Sequence, residues 1–153
     1  MQIRSYMPSD CPAVAALFYT TVHTVNAKDY TPDEMEAWAP GTPDLEVWNR
    51  LFLEHHTVVA VIDGIIVGFG DMDRTGYLDH LYVHHAYQGR GIATALCDRL
   101  EEHVLAARFV THASITAKPF FEKRGYCVIK AQRVERRGVF LKNYVMEKAN
   151  LPK

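Results

Sequence analysis

The sequence lacks the residues that build covalent or metal frameworks. Its three cysteines, Cys11, Cys97 and Cys127, are odd in number and show no Cys-x-x-Cys spacing, which fits neither a disulfide scaffold nor a thiolate zinc site. Excess charge is missing too. Seventeen basic against eighteen acidic residues leave a formal charge of −1, so no overall field draws the chain to nucleic acid or to an anionic membrane. The basic run from Arg133 to Arg137 has no interleaved aromatics and reads as a solvated hairpin. Long apolar runs are absent, and the opening MQIRSYMPSDCPAV holds no stretch of signal-peptide length. The expectation is a cytoplasmic protein without membrane or nucleic-acid partners.

Repeats, low-complexity segments and a Pro/Gly-rich linker are also missing, so residues 1–153 are expected to form one domain. The hydrophobic share of 48% is enough for one core at this length. Eight histidines raise the question of a metal. The pairs His55-His56 and His84-His85 would point to opposite faces of a strand and lack helical i, i+4 spacing, so no metal is expected.

The patterns that are present alternate between strand and helix. Ile3 to Tyr6 reads as a strand, followed by a helix capped by Ser9 or Asp10 with Pro12 in its first turn. Thr31-Pro32-Asp33-Glu34 repeats that start signal for a short helix to Trp38, and Leu45 to Glu54 is a third helix. Thr57 to Ile62 and Ile65 to Asp71 flank Asp63-Gly64, a hairpin signal. Gly76 to His84 is a further strand, and Ile92, Leu96, Leu100, Val104 and Leu105 recur at helical spacing, giving a helix from Gly91 to Ala107. A strand at Phe109 to Ser114, a short helix at Ala117 to Lys123, and strands at Tyr126 to Glu135 and Val139 to Glu147 complete the chain. This order predicts an α+β, mixed α/β sheet with helices on both faces.

One junction carries chemistry. Leu81-Tyr82-Val83 feeds the glycine-rich turn Gln88-Gly89-Arg90-Gly91-Ile92-Ala93-Thr94, which opens a helix. The first turn of a helix has unpaired N–H groups and a partial positive charge, suited to phosphate oxygens. Gly89 and Gly91 remove side chains where a ligand approaches the backbone, and Arg90 adds a cation at the rim. The dinucleotide fingerprint is not completed, since position 94 is Thr, and the Walker lysine is absent.

Gln88, Gly91 and Ala93 match the signature Q/R-x-x-G-x-G/A of the GNAT superfamily of N-acetyltransferases, which the chain resembles across LYVHHAYQGRGIATAL and ITAKPFFEKRGY. The segments YTPDEMEAWAP and ERRGVFLKNYVMEK resemble its YafP-like branch. The resemblance implies a mostly antiparallel twisted sheet of about seven strands with a V-shaped cofactor cleft between strands 4 and 5. It implies acetyl-CoA as the acyl donor, with Leu81, Tyr82 and Val83 pairing with the pantetheine amides as an added strand would. Backbone amides from Gly89 to Thr94 would hold the pyrophosphate, Ser114 would contact the pantetheine arm, and Phe120, Phe121 and Lys123 would flank the cofactor. A homodimer through a late strand is a further implication of the family. The acceptor would be a primary amine of a small molecule or peptide.

Acyl transfer from a thioester to an amine needs a neutral amine, a stabilised oxyanion and a proton for the thiolate. In the family a tyrosine on the short helix supplies that proton, but the matching position here is Phe121, which has none. Tyr144, on the last strand, is the substitute to test first. The missing tyrosine also supports a second reading, a CoA-binding sensor without catalysis. For the base, Asp79 stands where polyamine-acetylating relatives carry a carboxylate near the incoming amine, with His80 beside it and His112 on the next strand. His23, Tyr30 and Trp38 are expected to line the acceptor pocket, whose aromatic wall suits an amine on an apolar or aromatic body.

Overall fold

The computed structural model describes residues 1–151, and in them seven strands form one sheet in the order β1-β2-β3-β4-β5-β7-β6. The strands are β1 (Gln2–Ser5), β2 (His56–Ile62), β3 (Ile65–Met72), β4 (Tyr77–Val83), β5 (Arg108–Ser114), β6 (Cys127–Arg136) and β7 (Val139–Ala149). The helices are α1 (Cys11–Thr24), α2 (Pro32–Trp38), α3 (Leu45–Glu54), α4 (Ile92–His103) and α5 (Lys118–Lys123). Every strand pairing is antiparallel except that of β4 with β5. That parallel pair is registered only at Tyr77 with Val110 and Leu78 with Thr111. Beyond Leu78, therefore, β4 presents an edge that no strand covers, and the sheet opens into the expected cleft.

Local chemistry accounts for most boundaries. The hairpin turn at Asp63 and Gly64 has positive φ at both residues, the left-handed conformation that Asp-Gly tolerates. Thr31 caps α2 by accepting from the Glu34 N–H, while the Glu34 side chain accepts from the Thr31 N–H. Two expectations are corrected. Asp10 precedes α1 without capping it, because its carboxylate accepts instead from the Arg4 guanidinium and the Met7 N–H. The helix beginning after Gly91 ends at His103 rather than Ala107, since Val104 is already extended, and Leu105 is exposed.

The two faces of the sheet bury separate clusters. On one, Val58, Val67, Leu78 and Val83 meet Ile92, Leu96 and Leu100 of α4. Gly68 makes that approach close: a Cβ there would lie 3.1 Å from Ile92 Cγ2. On the other, Phe69 meets Val14, Phe18 and Val22 of α1 and Phe52 of α3. Phe52 and Phe69 are among the most deeply buried side chains, each contributing on the order of 2–3 kcal/mol by burial. The two clusters place α4 on one face of the sheet and α1 and α3 on the other.

Candidate active site

The turn that leaves β4 is held from within. Gln88 Nε2 donates to the Val83 carbonyl at 2.6 Å, and the His84 N–H donates to Val67 O of β3 at 2.8 Å. Gly89 and Gly91 take positive φ, 73° and 79°, a conformation costly for residues with a Cβ. Apart from the adjoining residues, no described atom lies within 4 Å of where a Cβ would be at either glycine, and no side chain caps α4. The first turn of α4 therefore begins uncapped, after two glycines with open space around them, beside an exposed Arg90 whose guanidinium lies 4.9 Å from the centre of the Tyr87 ring. These residues fit an anionic pyrophosphate. Thr94, Phe120 and Lys123 border a recess of about 870 Å³ between α4 and α5.

A larger cavity, about 980 Å³, opens on the opposite face of the sheet. Its aromatic lining comes from Phe18 and Tyr19 of α1, Trp38 of α2, Trp48 of α3, and Tyr30 and Tyr82. Asp79, His80, His112 and Ser114 line it as well, and Arg136, Arg137 and Lys142 bring positive charge from the last hairpin. Tyr30 braces one side: its hydroxyl donates to Lys142 O at 2.6 Å and accepts from the Ile115 N–H at 2.9 Å. Burial raises the Tyr30 and Tyr82 hydroxyls above the ordinary phenol value, and that of Tyr77 is pushed up to about 12.

Asp79 and His80 are neighbours in sequence, yet both line this cavity. The cause is a bulge: Asp71 pairs with His80 and Met72 with Leu78, so Asp79 is the extra residue. Two groups that sequence reasoning missed lie behind them. Asp71 has no exposed side-chain surface, and its carboxylate meets His55 Nδ1 at 2.7 Å and His80 Nδ1 at 2.9 Å. Burial acts to raise the Asp71 pKa, but the two imidazoles overcome it and hold the group below the carboxylate range. His80 is raised overall, because Asp71 outweighs the burial that lowers it, and His55 is raised mainly by its bond to Asp71. Burial lifts the Asp79 carboxyl, with His80 opposing. An acid in the glycine-rich apolar run Gly68-Phe69-Gly70-Asp71 was the available signal.

Other expected site residues fall elsewhere. His23 does not line the cavity; its Nε2 is 2.9 Å from Ala39 O, fastening α1 to the end of α2. Phe121 is 3% exposed and packs edge-on against Phe120 and Tyr126, so it belongs to the core. Tyr144 is not in the cavity wall either, and its ring lies 5.2 Å from Lys118 Nζ and 5.3 Å from Lys142 Nζ. The Ser114 oxygen accepts from the Ala117 N–H at 3.0 Å, capping the turn into α5, and from Asn26 Nδ2 at 3.5 Å, so its hydroxyl proton is what it can offer a ligand. His112 is exposed on one side, and the partial loss of water around its ring holds its pKa below the ordinary histidine value.

Comparison with known proteins shows the family and the fold. A family model described as "Acetyltransferase (GNAT) domain" matches residues 26–148. The "Uncharacterized N-acetyltransferase YafP" of Escherichia coli K12 is 36% identical over 146 residues, covering 95% of this chain and 94% of that protein. A GCN5-related N-acetyltransferase from Rhodopseudomonas palustris superposes with a TM-score of 0.93 at 33% identity, over 97% of this chain and 94% of that one. The PaiA N-acetyltransferase of Thermoplasma acidophilum, crystallised with coenzyme A, shares the fold with a TM-score of 0.77 at 16% identity, over 97% and 98% of the two chains.

Proposed function

The chain belongs to the GNAT acetyltransferases, and from that premise we propose that it moves an acetyl group from acetyl-CoA to a primary amine on a small aromatic or apolar body, by direct attack in a ternary complex. The observation that carries the acceptor class is the aromatic cavity that ends on Asp79 and His80. A polyamine would want several acids along its length. Here the lining holds Asp44 and Asp79 against Arg136, Arg137 and Lys142, and Asp44 is engaged in capping Val47.

The amides of Gly89 to Thr94 bind the pyrophosphate, and the uncovered edge at Leu81, Tyr82 and Val83 receives the pantetheine arm. The Ser114 hydroxyl, at the end of β5, donates to that arm. Acetyl-CoA supplies an activated thioester, whose thiolate leaves readily because its pKa is about 8.5. Tyr144, with two ammonium groups over its ring, returns a proton to that thiolate. Asp79 and His80 stand at the acceptor's amine, and Tyr30 and Trp38 hold its body.

The test is an amine panel with acetyl-CoA, read by free-thiol release: 2-phenylethylamine, spermidine and a short peptide with a free N-terminus. Turnover of 2-phenylethylamine well above the other two is expected. Turnover of spermidine without the aromatic amine would sink the acceptor class. Acetyl-CoA binding without turnover of any amine would favour a CoA sensor.

A further inference from the structure

We propose that His80 is the catalytic base of this site and that buried Asp71 is the positioning residue that sets its tautomer, with Asp79 acting as a charge beside the amine rather than as the proton acceptor. The proposal rests on the acetyl-transfer reading above and deepens it.

The geometry of Asp71 carries the argument. A carboxylate held in the ionised form can only accept hydrogen bonds, so the proton between Asp71 and His80 resides on Nδ1 of the imidazole. That leaves Nε2 of neutral His80 with its lone pair. Among the described residues Nε2 makes no hydrogen bond, and the His80 side chain, 17% exposed, lines the acceptor cavity. The ring is also fixed in place. Phe18, Trp48, Phe52, Phe69 and Tyr82 surround it with centroids between 5.5 and 6.1 Å away. His55 takes the other oxygen of Asp71 at 2.7 Å, so the carboxylate cannot swing away from His80.

Asp79 is placed differently. Its Oδ2 lies 3.6 Å from His80 Nδ1, too far for a hydrogen bond, and among the described residues no side chain hydrogen-bonds to it. A carboxylate, even one lifted by burial, is a poorer match to an ammonium proton at neutral pH than an imidazole. The charged groups facing His80 are Asp71 of β3 and Asp79 of β4, with His55 beyond Asp71. Tyr82 of β4, Phe18 of α1, and Trp48 and Phe52 of α3 complete its surroundings without charge. Their net effect raises His80, which strengthens it as a base.

The step balances as follows in atoms and charge. Nε2 takes one proton from the acceptor ammonium, and the freed nitrogen lone pair forms a C–N bond to the thioester carbon. The C–S bond then breaks with its electron pair going to sulfur. The nitrogen sheds its second proton, one proton neutralises the thiolate, and His80 returns its own to solvent.

The experiment combines pH–rate profiles with imidazole nitrogen NMR, using acetyl-CoA and 2-phenylethylamine as probes. His80→Ala is expected to lower kcat by about 100-fold or more with the KM for acetyl-CoA unchanged, and added imidazole to restore part of the rate. His80→Gln gives a second variant should the alanine fail to fold. Asp71→Asn is expected to shift the acidic limb of kcat/KM to lower pH, because the charge that raises His80 is gone. NMR should show the same downward shift in the His80 titration and, in the wild type, the proton on Nδ1. A loss of less than threefold in both His80 variants, or an acidic limb and His80 titration unmoved by Asp71→Asn, overturns the proposal. So does an Asp79→Asn variant that alone abolishes the limb. A wild type that binds acetyl-CoA but acetylates no amine overturns instead the transfer reading on which the proposal rests.

Discussion

At the scale of single residues, the same side-chain chemistry takes different roles according to burial. Phe121 sits where the family resemblance implies a proton-donating tyrosine, but it is 3% exposed among Phe120 and Tyr126. Phe121→Tyr should therefore leave kcat unchanged and cost about 1–3 kcal/mol by burying an unpartnered hydroxyl, read from urea unfolding alongside thiol release. The imidazole–carboxylate cluster makes a pH prediction. Asp71 is depressed below its ordinary 3.8, so its contribution is present above that pH and is lost as pH falls through the folded value. His55 and His80 are raised above 6.5, so theirs is complete below 6.5 and fades as pH rises through the folded values. The thermal advantage of the wild type over His55→Gln should peak between 3.8 and 6.5 and shrink on the alkaline side, as scanning calorimetry across pH would record.

At the scale of elements, the site depends on where strands stop pairing. The β4–β5 ladder ends at Leu78 and Thr111, and nothing in the composition of either strand marks that point. Across the gap the Tyr30 hydroxyl ties the Ile115 N–H, just past β5, to Lys142 O of β7. Tyr30→Phe removes both bonds and leaves two part-buried backbone groups without that partner. A loss of about 0.5–1.5 kcal/mol is expected, with a raised KM for the amine and little change in acetyl-CoA affinity. Equal weakening of both ligands would show that Tyr30 holds the whole cleft. The bulge between β3 and β4 belongs to this scale as well. Alternation alone assigns Asp79 and His80 to opposite faces, whereas one extra residue turns both toward the cavity.

At the scale of the whole molecule, two packed clusters on opposite faces of one sheet keep the glycine-rich turn and the aromatic cavity on fixed elements. Among the described residues no helix is long and apolar enough to cross a membrane. Ligand binding should be visible as stabilisation of the entire fold. At a hundred times its Kd, coenzyme A is expected to add about 2.7 kcal/mol, or roughly 5–10 °C in Tm for a domain of this size, while NAD and ATP add much less. Gly91→Glu should abolish that shift, because it combines a strained φ of 79° with an anion in the phosphate space. A shift of equal size with ATP would argue against a pyrophosphate cradle specific to this cofactor.

The sequence by itself determined the element order, the helix start at Gly91 and the family, because caps, hairpin turns and glycine-rich junctions are written in consecutive residues. It also brought Asp79 and His80 to notice. Only the tertiary structure decided that Asp71 of β3 and His55 stand behind His80, that Phe121 is core, and that His23 fastens α1 to α2. These are contacts between elements, set by sheet register, a bulge and helix packing, and no local pattern in the chain encodes the distances between them.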